Sequence, residues 1–180
     1  GGGWAAWWLM GKRVAFVRCP EKAGKFSIGG TYAEYAITNV SLCVSLDASI
    51  TTQQAACGIL NPLSAVGLLD RCLHHKAKAV IQTGAASQLG RMMIKLLAQN
   101  GIEVINIVRK EEQVQMLKND YRAHYVLNSE DKCFEQDLWN LTNDLGATVA
   151  LEAVAGELTG KVLQVLPRGG ILIQYGALSE

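Results

Sequence analysis

The sequence predicts an α/β protein in which a doubly wound parallel sheet follows a shorter β-rich segment. Three observations lead there. From residue 78 onward, apolar runs alternate with helical stretches across short connections. The first of these runs enters a small-residue turn, "TGAASQLG", and passes straight into a helix. Before residue 50 the rhythm is different, short and strand-like, with Pro and Gly at the joints. Strands alternating with helices imply right-handed βαβ crossovers and a sheet covered on both faces.

The bulk properties fit this class. With 180 residues, 49% hydrophobic and 18% charged, the chain suits one large domain, or one domain and part of another. A formal net charge of +1, with both signs scattered along the chain, gives no reason to expect a nucleic-acid partner. Cys19, Cys43, Cys57, Cys72 and Cys133 are odd in number and lack any C-x-x-C. That pattern points to reduced thiols in an intracellular compartment, cytoplasm or mitochondrial matrix. The apolar start is broken by Gly11, Lys12 and Arg13, too soon for a membrane span, and no basic region precedes it as in a signal peptide. The chain lacks an initiator methionine, so we expect a piece of a longer protein.

Taken in order, "RVAFVRC", "GGTYAEYAIT" and "LCVSL" are the strand candidates of the first fifty residues, too few to close a sheet. Trp4, Trp7 and Trp8 form a bulky apolar cluster, read as packing or a subunit contact in preference to an aromatic substrate wall. Thr51 and Gln54 make a capping box, so a short helix is predicted over "QQAACGI". Asn61 then reads as an N-cap, with Pro62 at the first helical position and the helix reaching about residue 73.

Strands are predicted at 78–83, 103–108, 125–127, 148–154 and 171–175. Helices are predicted near 88–100, 110–119, 131–145 and 157–166. Five strands nearly complete a six-stranded dinucleotide-binding sheet.

In such a sheet the first strand-turn-helix corner is where a ligand binds, because the helix N-terminus offers free amides and partial positive charge. Here Gly84 and Gly90 bracket Ala85, Ala86, Ser87, Gln88 and Leu89. Small residues let a backbone approach a pyrophosphate, but the same corner serves in any α/β protein. Ser87 suits a hydrogen bond to phosphate better than nucleophilic attack. The second strand ends in Arg109 and Lys110, nineteen and twenty residues past Gly90, where NAD-binding sheets carry a carboxylate for the ribose. A guanidinium there grips a 2′-phosphate, which favours NADPH over NADH. The plainer alternative is a pair of solvated cations opening a helix.

The segments "GGTYAEYAI", "NPLSAVGLL", "AVIQTGAASQLGRMMIKLLAQNG", "EVINIVRKEEQVQMLK", "YVLNS" and "GGILIQYGALS" occur in this order. Together they resemble the medium-chain dehydrogenase/reductase superfamily, above all its zinc-independent quinone oxidoreductase-like and enoyl-thioester reductase branch. The resemblance implies that residues 1–60 are the C-terminal part of a GroES-like catalytic domain. It likewise implies that residues 61–180 are a Rossmann NADP-binding domain lacking its last strand. It implies an NADPH-dependent oxidoreductase that passes hydride to a small molecule, a quinone or an activated enone or enoyl-thioester double bond. The turn Ala86, Ser87, Gln88, Leu89 and Gly90 would cradle the pyrophosphate, and Arg109 with Lys110 would meet the 2′-phosphate. Asn61, Ser64, Asn128, Tyr175, Gly176 and Leu178 complete the cofactor set, of which Asn61–Ser64 and Tyr175–Leu178 would lie near the nicotinamide end. The catalytic tyrosine of the enoyl-thioester reductases would precede Gly1, so no catalytic residue is assigned and the segment alone is expected to be inactive. Pairing of the last Rossmann strands across a two-fold is common in the family, so a homodimer is one expectation.

Two departures stand out. Arg122 replaces a glycine expected before the third strand of the sheet, threatening a helix C-cap. "EAVAG" at 152–156 replaces D-A-V-G-G beside the cofactor groove. They keep a second reading open, a non-catalytic subunit or scaffold of the same fold, and behind it an NAD(P)-dependent alcohol dehydrogenase-like enzyme. No metal site is expected. There is no four-cysteine lobe, Cys57 lies too early for the family's zinc ligand, and Cys72, His74 and His75 end an amphipathic helix. His124 reads as structural.

Overall fold

The computed structural model describes residues 4–17 and 31–178, which fall into two compact units, Gly1–Leu63 and Ser64–Glu180. Gly29, Gly30 and Cys19 lie outside the described residues.

The first unit opens with helix α1 (Trp4–Leu9), where the sequence pattern suggested only strands. Trp7 and Trp8 are 74% and 67% exposed, so of the two expectations, packing or a subunit contact, they do not meet the first among the described residues. The Lys12 ammonium sits 4.0 Å from the Trp8 ring centroid instead, a cation–π contact available at the surface. Strands β1 (Val14–Phe16) and β2 (Cys43–Ser45) pair antiparallel, with Val14 opposite Ser45 and Phe16 opposite Cys43. The β-rich run expected up to residue 38 forms bends and irregular chain over 31–39. Tyr32, Tyr35 and Ile37 are exposed, so among the described residues no sheet face buries the side chains that suggested a strand. Helix α2 (Thr52–Ala56) carries the predicted capping box, with the Gln54 amide donating to Thr51 Oγ1 and the Thr51 amide to Gln54 Oε1.

Helix α3 (Leu60–His74) starts two residues earlier than predicted, so Asn61 lies inside its first turn and is not the N-cap. The first helical hydrogen bond runs from the Leu63 amide to the Ile59 carbonyl. Pro62 is still accommodated, because first-turn amides have no intrahelical acceptor.

The second unit alternates as predicted: β3 (Ala79–Gln82), α4 (Gln88–Gln99), β4 (Glu103–Val108), α5 (Glu111–Tyr121), β5 (Tyr125–Asn128), α6 (Phe134–Leu145), β6 (Val149–Glu152), α7 (Glu157–Val165) and β7 (Ile171–Gln174). All strands are parallel in the order β5-β4-β3-β6-β7, which is the order of the first five strands of a doubly wound dinucleotide-binding sheet. Strands buried on both faces need apolar side chains on both. Accordingly Val80, Val104 and Leu151 pack with Leu68 and Cys72 of α3 and Met93 and Leu97 of α4. Ile81, Ile105 and Ala150 pack with Leu138 of α6 and Val162 of α7. Val108 and Val126 pack under Val114 and Leu117 of α5.

Arg122 does not break the end of α5. It takes the left-handed conformation (φ 54°, ψ 36°), and the Ala123 amide reaches back to the Leu117 carbonyl. This is a glycine-type cap made by a residue with a Cβ, at a cost of about 1 kcal/mol. The strand predicted over 148–154 stops at Glu152, because Val154 and Ala155 turn their amides toward the Glu152 carboxylate. The helix predicted from 131 starts at Phe134.

Candidate functional site

Beyond the C-terminal ends of the parallel strands lies a cleft of about 640 Å³. The order in which strands are added reverses between β3 and β6, the crossover point where open α/β sheets bind ligands. Four connections line the cleft: Gly84, Ala86 and Ser87 after β3; Arg109 after β4; Ser129 and Glu130 after β5; Val154 and Ala155 after β6.

The β3–α4 corner is built to hold a helix N-terminus against the strand. Gly84 has φ +59°, a region costly for other residues. Ala85 is fully buried, and a Cβ on Gly90 would lie 2.5–2.8 Å from the Ala85 backbone. Only glycine permits that close helix–strand packing. Ser87 is the N-cap, accepting a 3.0 Å hydrogen bond from the Gly90 amide, and its hydroxyl hydrogen stays available to a ligand. The amides of Gln88 and Leu89 belong to the first turn and have no intrahelical acceptor. Below the corner, Gln82 Nε2 donates to the Gly90 carbonyl (3.0 Å) and to Asn106 Oδ1 (3.2 Å), fixing the helix start to two strands.

The two cations at the end of β4 separate in role. Arg109 lines the cleft, is exposed, and forms no ion pair among the described residues. Lys110 is absent from the lining and pairs with Glu112 at 3.4 Å. Lys161 of α7 also faces the cleft but is held at 2.9 Å by Glu135, whose carboxylate keeps the ammonium above its ordinary pKa.

Across the cleft the β6–α7 connection is made differently. Ala155 has φ +69°, a conformation rare for a residue with a side chain, and Gly156 follows at φ +69°. Glu152, fully buried, holds this turn. Its Oε1 accepts from the Val154 amide (2.6 Å), the Ala155 amide (2.9 Å) and Thr83 Oγ1 (3.0 Å). Thr83 Oγ1 in turn accepts from the Ala153 amide at 2.8 Å. The network bridges β3 and β6 at the crossover point.

The other expected positions divide. Leu178 lines the cleft, with its amide on the Ala153 carbonyl. Gly176 passes so close to Ala153 that a Cβ would meet its oxygen at 2.9 Å. The Tyr175 hydroxyl is buried without a partner among the described residues, and burial, with the Glu152 charge adding to it, pushes the phenol up to about 12. Asn128 ends β5 and spends its side chain accepting from the Glu130 amide (3.1 Å). Asn61 and Ser64 sit at the start of α3 and are not among the lining residues, nor are Gln88 and Leu89.

Among the described residues no group of three or more His, Cys, Asp or Glu could hold a metal ion. Cys72 is fully buried, and burial pushes its thiol up to about 11, while His74 and His75 are exposed. His124 is exposed, its ring edge-on to Tyr125.

Sequence reasoning missed Gln113, Ser129, Glu130, Glu157 and Lys161 as lining residues, and it missed the Thr83–Glu152 network. The signal for the network was an acidic residue closing an otherwise apolar strand, "VALE".

A family model described as zinc-binding dehydrogenase matches residues 89–180. The mitochondrial enoyl-[acyl-carrier-protein] reductase of Xenopus tropicalis is 29% identical, covering 95% of this chain and 50% of the relative. That of Caenorhabditis elegans is 28% identical over 83% of this chain and 44% of its own length. Among solved structures, a putative NADPH:quinone reductase from Mesorhizobium loti superposes with a TM-score of 0.86 at 32% identity, covering 97% of this chain and 49% of that one. A mycobacterial protein complexed with NADPH gives 0.72 at 25% identity, covering 85% and 47%. The chain therefore spans about half the length of the curated relatives it matches.

Proposed function

The chain belongs to the zinc-binding dehydrogenase family, the medium-chain dehydrogenase/reductases, and from that premise we propose that its cleft binds NADPH. We further propose that the protein transfers hydride to a quinone or to an activated enone or enoyl-thioester double bond. The observation that carries this reading is the meeting, in one cleft, of a capped helix N-terminus and an arginine without an ion pair among the described residues.

The residues present fit the cofactor. The first-turn amides of α4 and the Ser87 hydroxyl are donors suited to a pyrophosphate. Arg109 offers a forked pair of donors to a 2′-phosphate, with Lys110 adding charge nearby. Val154, Ala155 and Leu178 supply apolar walls that exclude water. When bound, the cofactor supplies the hydride, and the chain's residues bind and orient it. Residues 1–60 are read as the end of a GroES-like catalytic domain and 61–180 as the Rossmann domain, in an intracellular protein of the cytoplasm or mitochondrial matrix that forms a homodimer. No helix is long and apolar enough to cross a membrane among the described residues.

Fluorescence titration with NADPH and NADH tests the cofactor, with tighter NADPH binding expected. NADPH oxidation by the full-length protein against quinone and enoyl-thioester panels tests the reaction, since the segment alone is expected to be inactive. Dinucleotide binding without turnover on any substrate points to the scaffold reading, which the strained Ala155 and Arg122 turns favour.

A further inference from the structure

A buried carboxylate is out of place beneath a cleft read as a site for an anionic dinucleotide. Removing a charge from water is costly, and such groups persist only where several hydrogen bonds hold them. Glu152 has these on one oxygen only. Oε1 takes the Val154 amide, the Ala155 amide and the Thr83 hydroxyl, while Oε2 is buried without a partner among the described residues. Two consecutive amides pointing at one oxygen force the chain to turn sharply, and they do so where Ala155 adopts a left-handed φ of +69°. Without an acceptor beneath it, that conformation is unfavourable for alanine. Both amides are thereby drawn away from the cleft, and Val154 and Ala155 form its wall.

We infer that Glu152 is a positioning residue: its carboxylate holds the left-handed turn at Ala155, and through that turn it sets the cleft's affinity for a dinucleotide. The affinity part rests on the NADPH reading above. Glu152 touches no ligand itself. It acts through the backbone of 153–155, and through Thr83 it locks that backbone to β3. The consequence is a specific coupling. Glycine at 155 enters the left-handed region without strain, so Ala155→Gly should remove much of the need for Glu152.

The test measures NADPH affinity and amide hydrogen exchange at Val154 and Ala155 for Glu152→Leu, Glu152→Gln, Ala155→Gly and the Leu/Gly double variant. Glu152→Leu is expected to weaken NADPH about tenfold or more and to speed exchange at both amides, since two charge-assisted bonds are lost. Glu152→Gln keeps an acceptor oxygen and should stay within about threefold of the wild type. The double variant should recover most of the lost affinity, a coupling between the two sites that independent structural roles would not produce. If Glu152→Leu does not fold, Glu152→Gln with and without Ala155→Gly carries the same comparison on a smaller scale. NADPH affinity within about twofold of wild type in Glu152→Leu with unaltered exchange overturns the inference, as does purely additive behaviour in the cycle. If the wild type binds neither NADPH nor NADH, the dinucleotide reading and the affinity part of this inference fall together. The exchange data still decide whether Glu152 holds the turn.

Discussion

Two strand-turn-helix corners face each other across the cleft, and they meet the same steric demand by different means. After β3 the chain uses glycine: Gly84 takes the positive φ, Gly90 allows the helix to touch the strand, and the Ser87 side chain caps α4. After β6 Ala155 takes a positive φ ahead of Gly156, α7 has no side-chain cap among the described residues, and a buried glutamate holds the turn from below. The first corner leaves the Gln88 and Leu89 amides without an intrahelical acceptor, whereas the second spends the Val154 and Ala155 amides on Glu152. The difference teaches that a left-handed turn can be secured by backbone freedom or by a buried acceptor, and that only the first leaves donors free for binding.

The sharpest way to break the first corner is Gly90→Ala. Its Cβ would meet backbone atoms of Ala85 that cannot yield without moving the helix. A stability loss of about 3 kcal/mol is expected in a urea titration. Ser87→Ala removes only the cap and should cost about 1 kcal/mol by the same measurement. At the second corner the sign reverses. Ala155→Gly should stabilise the protein by about 0.5 kcal/mol, because relief of the left-handed strain exceeds the added chain entropy. Arg122→Gly, at the end of α5, should give a similar or smaller gain. If Ala155→Gly destabilises as much as Ser87→Ala, the contrast between the corners is wrong.

The alternation of apolar runs and helical stretches made the sheet of the second unit readable from residue 78 onward, because strands buried on both faces leave continuous apolar signatures. The apolar run 148–154 outlasts its strand for a physical reason. Val154 is as apolar as its neighbours, and only the Glu152 hydrogen bonds turn the chain there. Before residue 50 the reading was poorer. Tyr32, Tyr35 and Ile37 look like strand residues but are exposed, with no sheet to pack on among the described residues, and the tryptophan run is a helix with two exposed rings. Asn61 looked like a cap because Pro62 follows it, yet proline is tolerated anywhere in the first helical turn. Within the cleft, Ala86, Ser87, Arg109 and Leu178 were legible from spacing and family likeness. Glu130 and Lys161 were not, since a charged residue near a strand end or on a helix carries no signal until the fold brings it to the cleft.

The central claim is that Arg109 turns a helix N-terminal anion site into one that selects NADPH. Titration of the wild type and Arg109→Ala with NADPH and NADH tests it most directly. The variant should lose about 1.5–3 kcal/mol of NADPH affinity, the worth of a charge-assisted contact, with NADH binding little changed. Equal NADPH affinity in the two proteins, or tighter NADH binding by the wild type, would contradict it.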